Sequence, residues 1–264
     1  MQASPTINSG FSGFIGHYYR SLVDTGRTAA SLHQPLDGFR QQLIQRFIVP
    51  VVSKLPDVST RIFPVNWVGV QGVRLSVVLP IVMDEGIPLM WVPRASILQA
   101  LVAARDARAR RSILGRRWKD VATDCEQVLT EIVHDRFASD VILGRQAVAS
   151  LQGGYAAASQ ALSANLLDSV LRKHLNASLR KQVTNHKNGN RLDIDSFSAR
   201  LGLTMAPVWR GYAEYWLDKG DRVPYSFTRH ASAHAVSKRQ YSRINAVVAI
   251  MLISSVLKLL DEQV

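Results

Sequence analysis

Residues 224–261 read PYSFTRHASAHAVSKRQYSRINAVVAIMLISSVLKLLD, and the second half of that stretch decides the fold. Ile244–Leu257 is interrupted only by Asn245 and the Ser254–Ser255 pair, so it has no polar face. An apolar run without a polar side belongs in the middle of a helix bundle, touched by neighbours all round. Ser237 followed three residues later by Gln240 is a capping-box pattern, which starts this helix at about Lys238. The polar run RHASAH, Arg229–His234, is then held against the most buried helix of the protein, a rigid support for a site.

Working outward, the chain reads as helix from Pro93 onward. Pro93 suits a first helical turn and opens Arg94–Arg111. Arg117–His134 carries an apolar stripe in Val121, Cys125, Val128, Leu129 and Ile132. Asp135–Leu151 follows, Gly153–Gly154 breaks the chain, and Tyr155–Val183 is one long amphipathic helix. Residues 185–191 form an exposed loop, Ser196–Leu201 a short helix, and Met205–Leu217 is rich in aromatics. Before Pro93 the pattern changes. In residues 66–92, NWVGVQGVRLSVVLPIVMDEGIPLMWV, alternating Val, Trp and Gly around the turn signal Asp84–Glu85–Gly86 predict a small β-hairpin, with a surface lid of exposed aromatics as the alternative. Leu36–Leu55 has helical spacing, and residues 1–35 read as a flexible arm. The expected fold is a mainly α helical bundle over 93–264, with 36–92 packed on it and an irregular or hairpin excursion near 66–92.

Composition narrows the function. With 264 residues, 47% hydrophobic content and a mean hydropathy of +0.02, the chain can bury a sizeable core. Its longest apolar run falls short of the ~18 residues that a membrane span needs, so no membrane insertion is expected. The opening MQASPTINSGFSGF lacks the basic and apolar regions of a secretory signal, and the lone Cys125 suits a reducing cytoplasm. Asp124 and Glu126 beside that thiol disfavour its thiolate. The net charge of +12 asks for a polyanionic partner, nucleic acid first and an anionic membrane surface second. The charge is clustered: Arg105–Lys119 holds one block, Arg172, Lys173, Arg180 and Lys181 a second, and Lys238, Arg239 and Arg243 a third. Phosphate-binding glycine loops, a G-x-S-x-G elbow and a CxxC pair do not occur. His134, Asp135 and Asp140 carry metal-capable atoms at no recognisable ligand spacing.

RHASAH allows two chemistries. His230 and His234, at i and i+4, share a helix face and could bind a metal if a third ligand such as Glu214, Asp218 or Asp221 joined them. Alternatively, Arg229 followed by four residues and His234 is one of three Arg-to-His spacings of five to seven in the chain, the others being Arg27–His33 and Arg180–His186. The third instance differs in its setting. The polar His230 directly follows the Arg, and the chain continues through QYSRINAVVAIMLISSVL into the apolar helix. Over about residues 221–262 this resembles the HEPN superfamily of helical nucleases and nucleic-acid-binding proteins. Thr228 stands where that family often has Asn, and Ala235 where it often has Gly.

The resemblance implies a metal-independent, cofactor-free endoribonuclease in which the ribose 2′-OH attacks the adjacent phosphate. Arg229, His230 and His234 would then be the catalytic residues: His234 a proton carrier, Arg229 a fork on the phosphate, His230 a second proton carrier or orienting group. Ser232 and Thr228 could ligate phosphate oxygens. Lys238, Arg239, Arg243 and Tyr241 would bind RNA, with Tyr225, Phe227 and Tyr241 as stacking rings. The family pairs two such motifs across a homodimer, and a toxin or phage-defence role with an antitoxin or regulatory partner would fit it. A non-catalytic RNA-binding or protein-interaction module of the same shape is the alternative, and the His-based metal protein a further one.

Overall fold

Several helices of this chain begin where a short polar side chain caps them, among them those after Asp106, Asn176, Thr228 and Ser242. The computed structural model describes residues 63–186, 192–194, 197–234 and 236–263. The arm expected at 1–35 and the helix expected at 36–55 lie outside these. The helices are α1 (Leu75–Leu79), α2 (Ala95–Ala103), α3 (Ala107–Arg116), α4 (Trp118–Thr130), α5 (Ala138–Gln152), α6 (Ala156–His174), α7 (Ala177–Thr184), α8 (Ala199–Gly211), α9 (Arg229–His234) and α10 (Arg243–Asp261). Arg94–Arg111, expected as one helix, is two, because the Asp106 carboxylate accepts from Ala109 N at 2.7 Å and starts α3. Tyr155–Val183 is split in the same way by Asn176, whose Oδ1 accepts from Leu179 N at 2.9 Å. The end of the short helix expected at Ser196–Leu201 and the start of Met205–Leu217 belong to one helix, α8, which starts at Ala199 and runs through Pro207.

The chain divides into two units, a small one with residues 193–202 and residues up to 65, and a large one of Asn66–Leu192 and Leu203–Val264. The large unit is a bundle around α10, which packs against α6, α4 and α5. Every residue from Asn245 to Leu257 is buried, as an apolar run with no polar face requires. By length and composition α10 is apolar enough to cross a membrane, although the run inside it looked too short; 89% of its most apolar window is buried within the protein. Cys125 is fully buried, and burial pushes its thiol far above the ordinary range, so it is an inert core residue.

The expected β-hairpin at 66–92 does not form, and among the described residues there is no strand. α1 continues into a π-helical turn over Pro80–Asp84, and residues 87–92 are irregular, bending at Met90 and Trp91, with no ladder. Side chains take the place of a partner strand. Trp67 Nε1 donates to the Leu89 carbonyl at 2.8 Å, and Asn66 Nδ2 to Leu89 and Pro93 at 3.1 and 2.9 Å. Nor is the segment a lid of exposed aromatics, since Trp67 and Trp91 are both buried. Ile81–Met83 and Ile87–Val92 are buried without alternation, which suits a strap wrapped into the core better than a two-faced strand. The turn at Asp84–Glu85–Gly86 is present: Gly86 has φ +69°, and a Cβ there would sit 3.0 Å from Arg210 Cγ.

Candidate functional site

The six residues of RHASAH form α9 because Thr228 caps them. Its Oγ1 accepts from Ala231 N at 3.0 Å. The inner face of α9, Ala231 and Ser232, is buried. Ser232 Oγ accepts from Gln160 Nε2 of α6 at 2.9 Å and from Gln240 Nε2 at 3.3 Å. Gln240 Nε2 also donates to the Thr228 carbonyl at 3.2 Å, and Tyr241 OH donates to the Ser232 carbonyl. Gln240 is therefore committed inward and does not serve a capping box. Ser237 Oγ accepts from Gln240 N at 3.3 Å, closing a turn only. α10 starts at Arg243 instead of about Lys238, capped by Ser242 Oγ, which accepts from Asn245 N at 3.2 Å.

The helix carries Arg229 and His234 in different directions. Residues five apart on an α-helix lie about 140° apart around its axis, so Arg229 and His234 do not share a face. Arg229 turns to α6, where Nη2 pairs with Asp168 Oδ2 at 3.5 Å. Asp168 also accepts from Arg172 Nε at 2.8 Å and from Tyr212 OH at 2.9 Å. Burial works against its charge, but the bonds from Arg172 and Tyr212 and the charge of Arg229 hold its carboxyl below the usual range. His234 is exposed. His230 is half-buried between them, its ring 6.3 Å from that of His234 and edge-on to Trp216 at 6.0 Å. The Nε of Arg229 and the Nδ1 of His230 are buried without a partner. As for a metal, the two histidines do come together, but among the described residues no group of three or more metal-capable side chains forms. Asp140 is taken up elsewhere, by His174 at 2.8 Å and Lys173 at 3.1 Å.

Burial first, then the positive charges of Arg229 and His234, hold the His230 imidazole below its ordinary value of 6.5, with Glu214 and Asp168 opposing. An imidazole depressed in the folded state takes its proton more readily when unfolded. Its contribution to stability is thus fully present above about pH 6.5 and is lost as pH falls through the depressed value. Denaturant melts at falling pH should show wild type losing stability faster than His230→Gln; parallel curves would mean that the ring is fully solvated.

Around α9 the basic residues lie on aromatic faces. Arg239 covers Tyr225 at 3.5 Å, Arg243 and Lys119 lie 5.4 and 5.6 Å from the Trp118 ring, and Lys219 lies 4.6 Å from Trp216. Lys238, Arg239 and Arg243 are all exposed. Of the three rings expected to stack, Phe227 is buried, Tyr241 is half-buried with its hydroxyl engaged, and Tyr225 is 66% exposed. Sequence reasoning missed Asp168, Gln160, Trp216 and Trp118. Only Gln160 carried a signal, as a polar residue on the apolar face of an amphipathic helix. No family model matches the chain, and no curated protein or solved structure matches it.

Proposed function

We propose that the protein binds RNA and cleaves it without a metal, as a HEPN-like endoribonuclease. The observation that carries this reading is the mounting of Arg229, His230 and His234 on one short helix, fixed from beneath by Ser232, Gln160, Gln240 and Tyr241. In the reaction, one imidazole accepts the 2′-OH proton as O2′ bonds to phosphorus. The P–O5′ bond breaks, and a protonated group delivers a proton to O5′, leaving a 2′,3′-cyclic phosphate and a 5′-hydroxyl end. His234, open to solvent, is the side chain that meets the substrate. His230 lies within reach of it, and its depressed pKa favours the neutral, proton-accepting form. Arg229, mounted on the same helix, supplies positive charge as negative charge develops on the phosphate. A homodimer placing two α9 helices in one cleft would supply the Arg and His that a single helix holds apart. A cytoplasmic toxin or defence effector is the role that fits such an activity.

The test is incubation of purified protein with single-stranded RNA, with and without EDTA, and analysis of the new ends. Cyclic phosphate ends in both conditions are expected. Cleavage lost with EDTA would transfer the reading to a metal at His230 and His234. One observation favours a second reading: Asp168 already neutralises Arg229. A non-catalytic RNA-binding module would show affinity for the same RNA and no new ends.

A further inference from the structure

Two of the sequence's basic clusters, at residues 105–119 and 238–243, converge where α3, the start of α4 and the start of α10 meet, and Arg111 joins them. Its Nη2 donates to the Tyr225 carbonyl at 3.0 Å and to Asn245 Oδ1 at 3.1 Å, both neutral acceptors. The Asn245 amide is itself oriented by donating to the Gln240 carbonyl at 2.7 Å. Among the described residues no carboxylate pairs with Arg111. The acid whose field reaches it, Glu85, is clamped by Arg110. Burial disfavours the Arg111 charge. A half-buried guanidinium held only by neutral groups keeps its charge uncompensated and its other donors open to an anion. Cations lie over the neighbouring rings, Arg239 3.5 Å from the centroid of Tyr225, and Arg243 and Lys119 5.4 and 5.6 Å from that of Trp118.

We propose that this corner binds an unpaired stretch of nucleic acid, with backbone phosphates on Arg111, Arg239 and Arg243 and a base against Tyr225 or Trp118. Alternating cations and flat rings match alternating phosphates and bases. An anionic lipid surface would use the charge but offers no planar group to the rings. The inference takes from the preceding section only the choice of RNA as ligand, and it locates where the strand is held.

The experiment measures binding of a short single-stranded 2′-O-methyl RNA by fluorescence anisotropy across a salt series. That probe has no 2′-OH nucleophile, so binding is read apart from cleavage. Arg239→Gln combined with Arg243→Gln should weaken binding and flatten the log K against log salt slope by about 1.4, two phosphates at roughly 0.7 each. Tyr225→Ala should weaken binding about tenfold with the slope unchanged. Arg180→Gln with Lys181→Gln, on α7, should leave binding unchanged. Equal affinity and slope in the double variant would overturn the proposal, as would equal binding of duplex RNA or of anionic phospholipid vesicles. The two readings fail separately. Patch-sensitive binding without RNA cleavage sinks the nuclease alone, and cleavage with patch-insensitive binding sinks this site alone.

Discussion

Replacing His234 with Ala is expected to lower RNA cleavage by roughly 10²–10⁴-fold, the contribution of one general acid or base, with folding and RNA binding nearly intact. His234 is exposed, and surface substitutions seldom change stability by more than about 0.5 kcal/mol. One imidazole also adds little to an interface made of several phosphate contacts. Arg229→Lys should be impaired by about 10²-fold although its charge is kept, because an ammonium lacks the planar fork. Here the Asp168 pair sharpens the outcome, since a lysine could keep the ion pair at that carboxylate and still fail at the phosphate. Activity should survive EDTA. A structural histidine gives the opposite pattern: a lower melting temperature for His234→Ala and no wild-type cleavage to lose. Cleavage by His234→Ala at the wild-type rate would remove it from the mechanism.

The bundle was legible because α10 leaves no choice: with no polar face from Ile244 to Leu257, only a central position satisfies it. The strap at 81–92 resembles a strand in sequence because Ile81–Met83 and Ile87–Val92 are buried without alternation, and a short apolar run bounded by turns looks like a strand whichever structure buries it. The helix breaks at Asp106 and Asn176 rest on single capping side chains inside longer periodic runs, a signal weaker than the periodicity around them. At the site, the chain order announced Arg229, His230 and His234 but not their partners. Asp168 and Gln160 are recruited from α6, more than sixty residues earlier, and no spacing rule connects them to α9. Local motifs are legible; the groups that orient them come from tertiary packing.

Glu85→Ala should cost about 3–5 kcal/mol of stability, the usual penalty for leaving a buried charge without its partner. Against a total of about 5–15 kcal/mol for a typical domain, that is a large share. The Arg110 and Glu85 side chains are only 10% and 14% exposed. Arg110 Nε donates to both carboxylate oxygens at 2.9 and 2.8 Å, Nη2 to one of them at 2.6 Å, and Nη1 to the Ala104 carbonyl at 2.7 Å. Without Glu85 the guanidinium keeps a single carbonyl. Replacing both partners, Glu85→Leu with Arg110→Met, removes the buried charge along with its counter-ion and should recover most of the loss. Urea midpoints of the three proteins decide it, and a Glu85→Ala midpoint equal to wild type would mean that water reaches Arg110. The pair also divides a basic cluster that reads as one in the sequence. Arg110 and Arg111 are adjacent, about 100° apart around α3. The first is internally neutralised and holds the Asp84–Gly86 turn, while the second faces Tyr225 and Asn245 with no acid. Below its melting temperature Glu85→Ala should therefore bind RNA as wild type does, whereas Arg111→Met should not, and that contrast separates the arginine that builds the fold from the one proposed to meet the ligand.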